Sequence, residues 1–211
     1  MGIRMLRMAL GGVIVGALLA GCTGSSSGPP EPGPTSAGAS GTPSSGSGGP
    51  SPGGAPKVQN PLDTTAFHQD PCRALTADQL PELLGADVPG TKRRGVSAPE
   101  CEWRNRSTGA SFGMQFVLAN DSGLSTAYAQ RHTYDLWQEL PPIEGYPAVV
   151  ADLRDSRNTL GACTVLVGVT DSLEFSVSGN LSDAKRGKAD PCQAIQLAAK
   201  LMLQTMKKGG A

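Results

Sequence analysis

Histidine and aromatic side chains are scarce in this chain, and their scarcity excludes several chemistries at once. Its 211 residues include two histidines, four phenylalanines, three tyrosines and two tryptophans. With only His68 and His132 to choose from, no base, nucleophile and orienting group fall together. His68 stands beside Gln69-Asp70 and reads as solvated, while His132, between Arg131 and Thr133, reads as structural. There is no His-Glu-x-x-His helix and no phosphate-cradling glycine loop. Asp152 and Asp155 flank a turn, where acids are common, so they do not read as a catalytic pair. No two cysteines make a CxxC half-site and neither histidine pairs with one, so no metal centre is expected. Positive charge is not in excess either: 18 Lys and Arg balance 18 Asp and Glu. Sequence-independent nucleic-acid binding needs a basic surface, and the one local cluster, Lys92-Arg93-Arg94, reads as a solvated loop. These absences lead us to expect a protein without catalytic residues, metal or cofactor, and with no nucleic-acid partner.

A membrane-spanning run is also missing. The apolar stretch from Met8 to Ala20 is short for a span, which needs about 20 such residues, and it follows Arg4 and Arg7. That is the anatomy of a signal peptide. It ends in Leu19-Ala20-Gly21-Cys22, which resembles the lipobox of bacterial lipoprotein precursors. The resemblance implies that residues 1–21 are removed and that Cys22 receives a diacylglycerol as the new N-terminus. Two acyl chains anchor stably where one is marginal. The implied address is the outer face of the cytoplasmic membrane, in the cell envelope.

Residues 22–60 then read as the lipidated cysteine and a tether. From Thr23 to about Pro56 every residue but Glu31 is Gly, Ser, Pro, Thr or Ala. Such a stretch buries too little apolar area to offset chain entropy and is expected to be disordered. A coil of about 34 residues has a mean reach of roughly 30–35 Å. Residues 61–208 are long enough for one domain with a proper core, and residues 209–211 form a tail.

Four cysteines remain: Cys72, Cys101, Cys163 and Cys192. An even number in an exported chain suggests two disulfides, with three possible connectivities. Asp70-Pro71-Cys72 and Asp190-Pro191-Cys192 each open a helix-like stretch, with Asp suited to the N-cap and Pro to the first helical position. Cys101 and Cys163 lie in strand-like stretches. The economical pairing joins each helix start to its nearest strand, Cys72 to Cys101 and Cys163 to Cys192.

Periodicity supplies the elements between. A helix in one or two pieces is expected over Cys72 to Leu84, with a capping box at Thr76-Ala77-Asp78-Gln79 and a polar loop onward to about Pro99. Strands are expected at Cys101–Arg104 and Ala110–Ala119, then a helix from Leu124 to about Tyr134, before Leu140-Pro141-Pro142 breaks the chain. Further strands follow at Tyr146–Asp152, Ala162–Thr170 and Leu173–Ser178, and a last helix begins at Asp190. The fold class expected is α+β: an antiparallel sheet of about five strands with helices packed on one face and two disulfides.

The order of Asp-Pro-Cys, Cys101-Glu102-Trp103, Gly145-Tyr146-Pro147-Ala148-Val149, a strand cysteine and a second Asp-Pro-Cys carries a resemblance. The chain is similar to actinobacterial cell-envelope lipoproteins grouped as a domain of unknown function. That family has no assigned catalytic residues, so none carries over. The function expected is a non-catalytic binding or interaction module, with a lipid, a wall glycan or another envelope protein as ligand. The alternatives are an envelope hydrolase and a structural or sensor accessory. Trp103, Met114, Phe116, Tyr128 and Trp137 are candidates to line a groove. A glycan would require exposed Trp137 or Tyr146 as a stacking platform, and a lipid would require an apolar cavity.

Overall fold

A computed structural model describes residues 52–95 and 98–209. The expected signal peptide, the expected lipidation site Cys22 and most of the expected tether therefore lie outside the described residues. Gly46–Ala211 forms a compact unit by itself, with its core and both disulfides inside it. Those are the conditions for folding alone.

Among the described residues seven strands form one antiparallel sheet in the order β1-β2-β3-β7-β6-β5-β4. They are β1 (Thr91–Arg94), β2 (Pro99–Arg104), β3 (Ser111–Phe116), β4 (Leu136–Ile143), β5 (Tyr146–Asp152), β6 (Ala162–Thr170) and β7 (Leu173–Asn180). Two runs of neighbouring strands meet where β3 pairs with β7, so residues 117–135 must cross the sheet to reach β4 at the far edge. β6 is interior, and Val165, Val167 and Val169 are completely buried. The antiparallel sheet and the two disulfides match expectation; the count of about five strands does not.

Two strands were read as something else. β1 is the Lys92-Arg93-Arg94 segment, exposed at every position and lacking any apolar alternation. Pairing with β2 makes it a strand, and Arg93 and Arg104 both form ion pairs with Glu102. β4 contains Pro141-Pro142 yet remains a strand. It is an edge strand, so a missing N–H on its open side costs no ladder bond, and the register shifts between Leu140 and Ile143 around the prolines.

The helices also depart from expectation. Among the described residues they are few, and the one long helix there is C-terminal: α4 (Pro191–Lys207). The others, α1 (Thr65–His68), α2 (Leu80–Leu84) and α3 (Ser125–Ala129), are each a turn or little more. The two Asp-Pro-Cys motifs differ as well. Asp190 caps α4, its Oδ1 accepting the Cys192 N–H at 2.9 Å, whereas Pro71–Ala74 is a 3-10 turn with no side-chain cap from Asp70. After it, Leu75 is extended, and a second short start at Thr76 uses the expected capping box with Gln79. The expected helix over 124–134 is α3 plus a 3-10 turn at Arg131–Thr133.

Nor do the helices share one face. α4 covers the face that carries Cys101, Trp103, Phe112, Met114, Val165, Val177 and Phe175, the main core. α3 lies on the opposite face, where Leu124 and Tyr128 pack with Ala55, Val149 and Ala151. Residues 52–60, assigned to the tether by composition, belong partly to the folded domain. Ala55 is buried in this layer and Val58 in the main core, and the Val58 N–H donates to the Asp171 carboxylate at 2.9 Å.

The disulfides join Cys72 to Cys101 and Cys163 to Cys192, each across 29 residues. Each thus staples a helical start to a strand on the α4 face. A Cβ at Gly90 would stand 2.5 Å from Cys101 Sγ and 2.8 Å from the Trp103 ring nitrogen, so the first disulfide requires glycine there.

Candidate functional site

A cleft of about 480 Å³ opens between α2 and the first half of α4, over one end of the sheet. Its formation follows from how α2 is held. Gln79, just before α2, donates to the Leu201 carbonyl at 3.3 Å and accepts from Thr205 Oγ1 at 3.1 Å, clamping that end onto the later half of α4. At the other end Gly85, at φ 71°, stops α2, and Asn105 Nδ2 donates to the Leu84 carbonyl at 3.0 Å. Held at these points, α2 stands off the start of α4 and leaves the space between them open.

The floor and walls are apolar, formed by Leu83, Leu84, Phe112, Ile195, Leu197 and Pro191. Ser111 and Asn180 also reach it, but they bond each other at 2.8 Å, and Asn180 Nδ2 donates to the Gly109 and Leu181 carbonyls. The groups left for a ligand are at the rim: Thr108, Ser182, Lys185 and Glu82. Lys185 and Glu82 are exposed and form no ion pair among the described residues. An apolar trough with a few polar groups at its mouth is the usual form of a small-molecule site, for which about 300–1,000 Å³ is typical.

None of the aromatic candidates lines this cleft. Trp103, Met114 and Phe116 are core, and Tyr128 is buried. Trp137 is half-buried, its ring 5.1 Å from Tyr128 and 5.7 Å from Tyr134. Tyr146 is buried beneath the Lys207 ammonium. Neither Trp137 nor Tyr146 is the exposed platform a glycan would need. His68 is not solvated as expected: it is half-buried against the Phe116 ring, 3.0 Å from Thr64 Oγ1, and desolvation lowers its pKa. His132 is exposed on its 3-10 turn. Asp152 accepts the Thr164 N–H at 2.9 Å and Asp155 pairs with Arg157 at 2.7 Å, so these acids are structural. No cluster of metal-ligating residues occurs among the described residues.

The family model described as Protein of unknown function (DUF3558) matches residues 17–205. The chain belongs to the DUF3558 family. In this DUF3558 protein the match covers both disulfides, all seven strands and α4 almost to its end. No curated protein and no solved structure matches it.

Two further features of the DUF3558 domain were not found from sequence. Ser182-Asp183-Ala184-Lys185 has the Ser-x-x-Lys spacing used by some acyl-transfer enzymes, and both ends line the cleft. The Lys185 N–H donates to the Ser182 carbonyl at 2.9 Å, but no side-chain hydrogen bond joins the two among the described residues and Lys185 is exposed, so the pair lacks the contact of an activated nucleophile. The other is Glu174, 5% exposed on the α3 face of β7. Its Oε2 has no hydrogen-bond partner, and burial pushes its pKa up to about 7. Tyr134 is shifted upward by its own burial and by the nearby Glu174.

Proposed function

We propose that this chain is an exported lipoprotein of the actinobacterial cell envelope, anchored through Cys22, that holds a small amphipathic molecule without altering it. The observation that carries the binding reading is the 480 Å³ cleft, whose apolar trough is open at a rim bearing Lys185 and Glu82. An acyl chain or apolar ring fits the trough, and a polar head fits the rim. The anchor reading rests on the lipobox-like Leu19-Ala20-Gly21-Cys22 and the apolar run before it.

Native mass spectrometry of the oxidised domain, recovered from an envelope of its own kind, tests the cleft. A non-covalent adduct that disappears on denaturation, and is lost in Leu197→Asp with the fold retained, supports the proposal. A bare mass for the wild-type domain across repeated preparations overturns it. The anchor is tested separately: Cys22→Ala is expected to leave the membrane fraction, and normal recovery there would refute lipidation at this residue.

A further inference from the structure

Among the described residues three large hydrophobic side chains stand exposed, and the two most exposed share one loop: Leu153 at 67% and Leu160 at 59%. This loop, residues 153–161, joins β5 to β6. It packs against the loop leading into α4, where the Leu181 N–H donates to the Gly161 carbonyl at 2.9 Å. The β2–β3 turn meets them, the Asp183 N–H donating to the Thr108 carbonyl at 3.0 Å. One end of the domain therefore presents three neighbouring loops.

The same three loops carry many cations. Arg157 and Arg186 are paired with Asp155 and Asp183. Arg106, Arg154, Lys185 and Lys188 are exposed and form no ion pair among the described residues. Of the other acids, Asp190 is engaged by the Cys192 N–H and Asp152 by the Thr164 N–H, while Glu82, at the cleft rim with Lys185, forms no ion pair among the described residues. Between the loops lies a depression of about 380 Å³ bordered by Arg157, Lys188 and Asp190, roomy enough for a phosphate-bearing headgroup.

We infer that this loop end docks on an anionic phospholipid bilayer, with Leu153 and Leu160 entering the interface and the unpaired cations meeting lipid phosphates. Exposed apolar side chains on loops that also carry basic ones are the combination that binds such surfaces. Two protruding leucines suit a fluid interface, which closes around each, better than a flat protein partner, which rewards a continuous apolar patch. The inference does not rest on lipidation at Cys22. It does bear on the cleft, because Thr108, Ser182 and Lys185 of the same loops form its rim: a ligand would enter from the bilayer.

The test is co-sedimentation of Gly46–Ala211, which carries no anchor, with two kinds of vesicle. One is pure phosphatidylcholine; the other is phosphatidylcholine and phosphatidylglycerol in equal parts. Binding is expected only to the second and should fade as salt rises. Leu153→Ser/Leu160→Ser and Arg154→Glu/Lys188→Glu should each weaken it by more than about tenfold, with circular dichroism and melting unchanged. No binding, equal binding to both vesicles, or full binding by either folded variant would overturn the inference. So would a leucine-dependent dimer in sedimentation velocity, which would make a second copy the occupant.

Discussion

The two faces of this sheet bury different material. Under α4 lie Trp103, Met114, Phe175 and a row of valines, with both disulfides at the boundary. Under α3 the apolar cluster is small, and beside it sits Glu174, the only carboxylate buried among the described residues. The first face carries the stability. The second accepts an unsatisfied polar group, a cost of about 1–3 kcal/mol that only a well-supported fold tolerates.

That contrast can be broken in a graded way. The largest effect is expected from the staples: Cys163→Ala/Cys192→Ala, or Cys72→Ala/Cys101→Ala, should each cost about 3–4 kcal/mol by loop-closure entropy, read as a lower midpoint in urea. Met202→Ala, removing a completely buried side chain of α4, should cost about 2–5 kcal/mol. Its counterpart on the other face, Trp137→Ala, loses a half-buried ring and should cost less in the same assay. Comparable losses at the two sites would erase the distinction between faces.

Glu174 sharpens the comparison through pH. Its pKa is raised in the folded state to about 7 from an ordinary value of 4.5. The folded protein therefore holds this proton more tightly than the unfolded chain. Its contribution is fully present below about pH 4.5 and is lost as pH rises through about 7. Glu174→Gln should flatten that dependence and raise stability at pH 8 by on the order of 2 kcal/mol, measured by melting across the pH range. An unchanged pH profile would contradict the burial argument. The smallest effect belongs to Asp171, which accepts from Val58 N–H and Lys57 at the surface. Asp171→Asn should cost about 1 kcal/mol or less, visible as faster hydrogen exchange at Val58.

What could be read from the sequence was set by period and by pairing chemistry. β5 and β6 have their expected bounds because their residues alternate or run apolar without interruption. The disulfide pairing follows from four cysteines with matched contexts. β1 and β4 were hidden because each is an edge strand held by its neighbour, one charged throughout and one interrupted by prolines. The cleft was hidden for another reason. Aromatic residues drew attention as ligand groups, whereas the lining is aliphatic and depends on how far α2 stands from α4. A trace of it was present: Ala194 and Leu197 widen the apolar stripe of α4 beyond what the sheet covers.

The two edges of the sheet have one more consequence. At one end β1 offers Lys92, Arg93 and Arg94, and at the other β4 offers Pro141-Pro142 with a shifted register. Like charges repel a second β1, and the prolines supply no donors to an incoming strand. Neither border is a template for extension, so copies crowded side by side should stay separate molecules, and the sheet ends at seven strands instead of growing into a fibre.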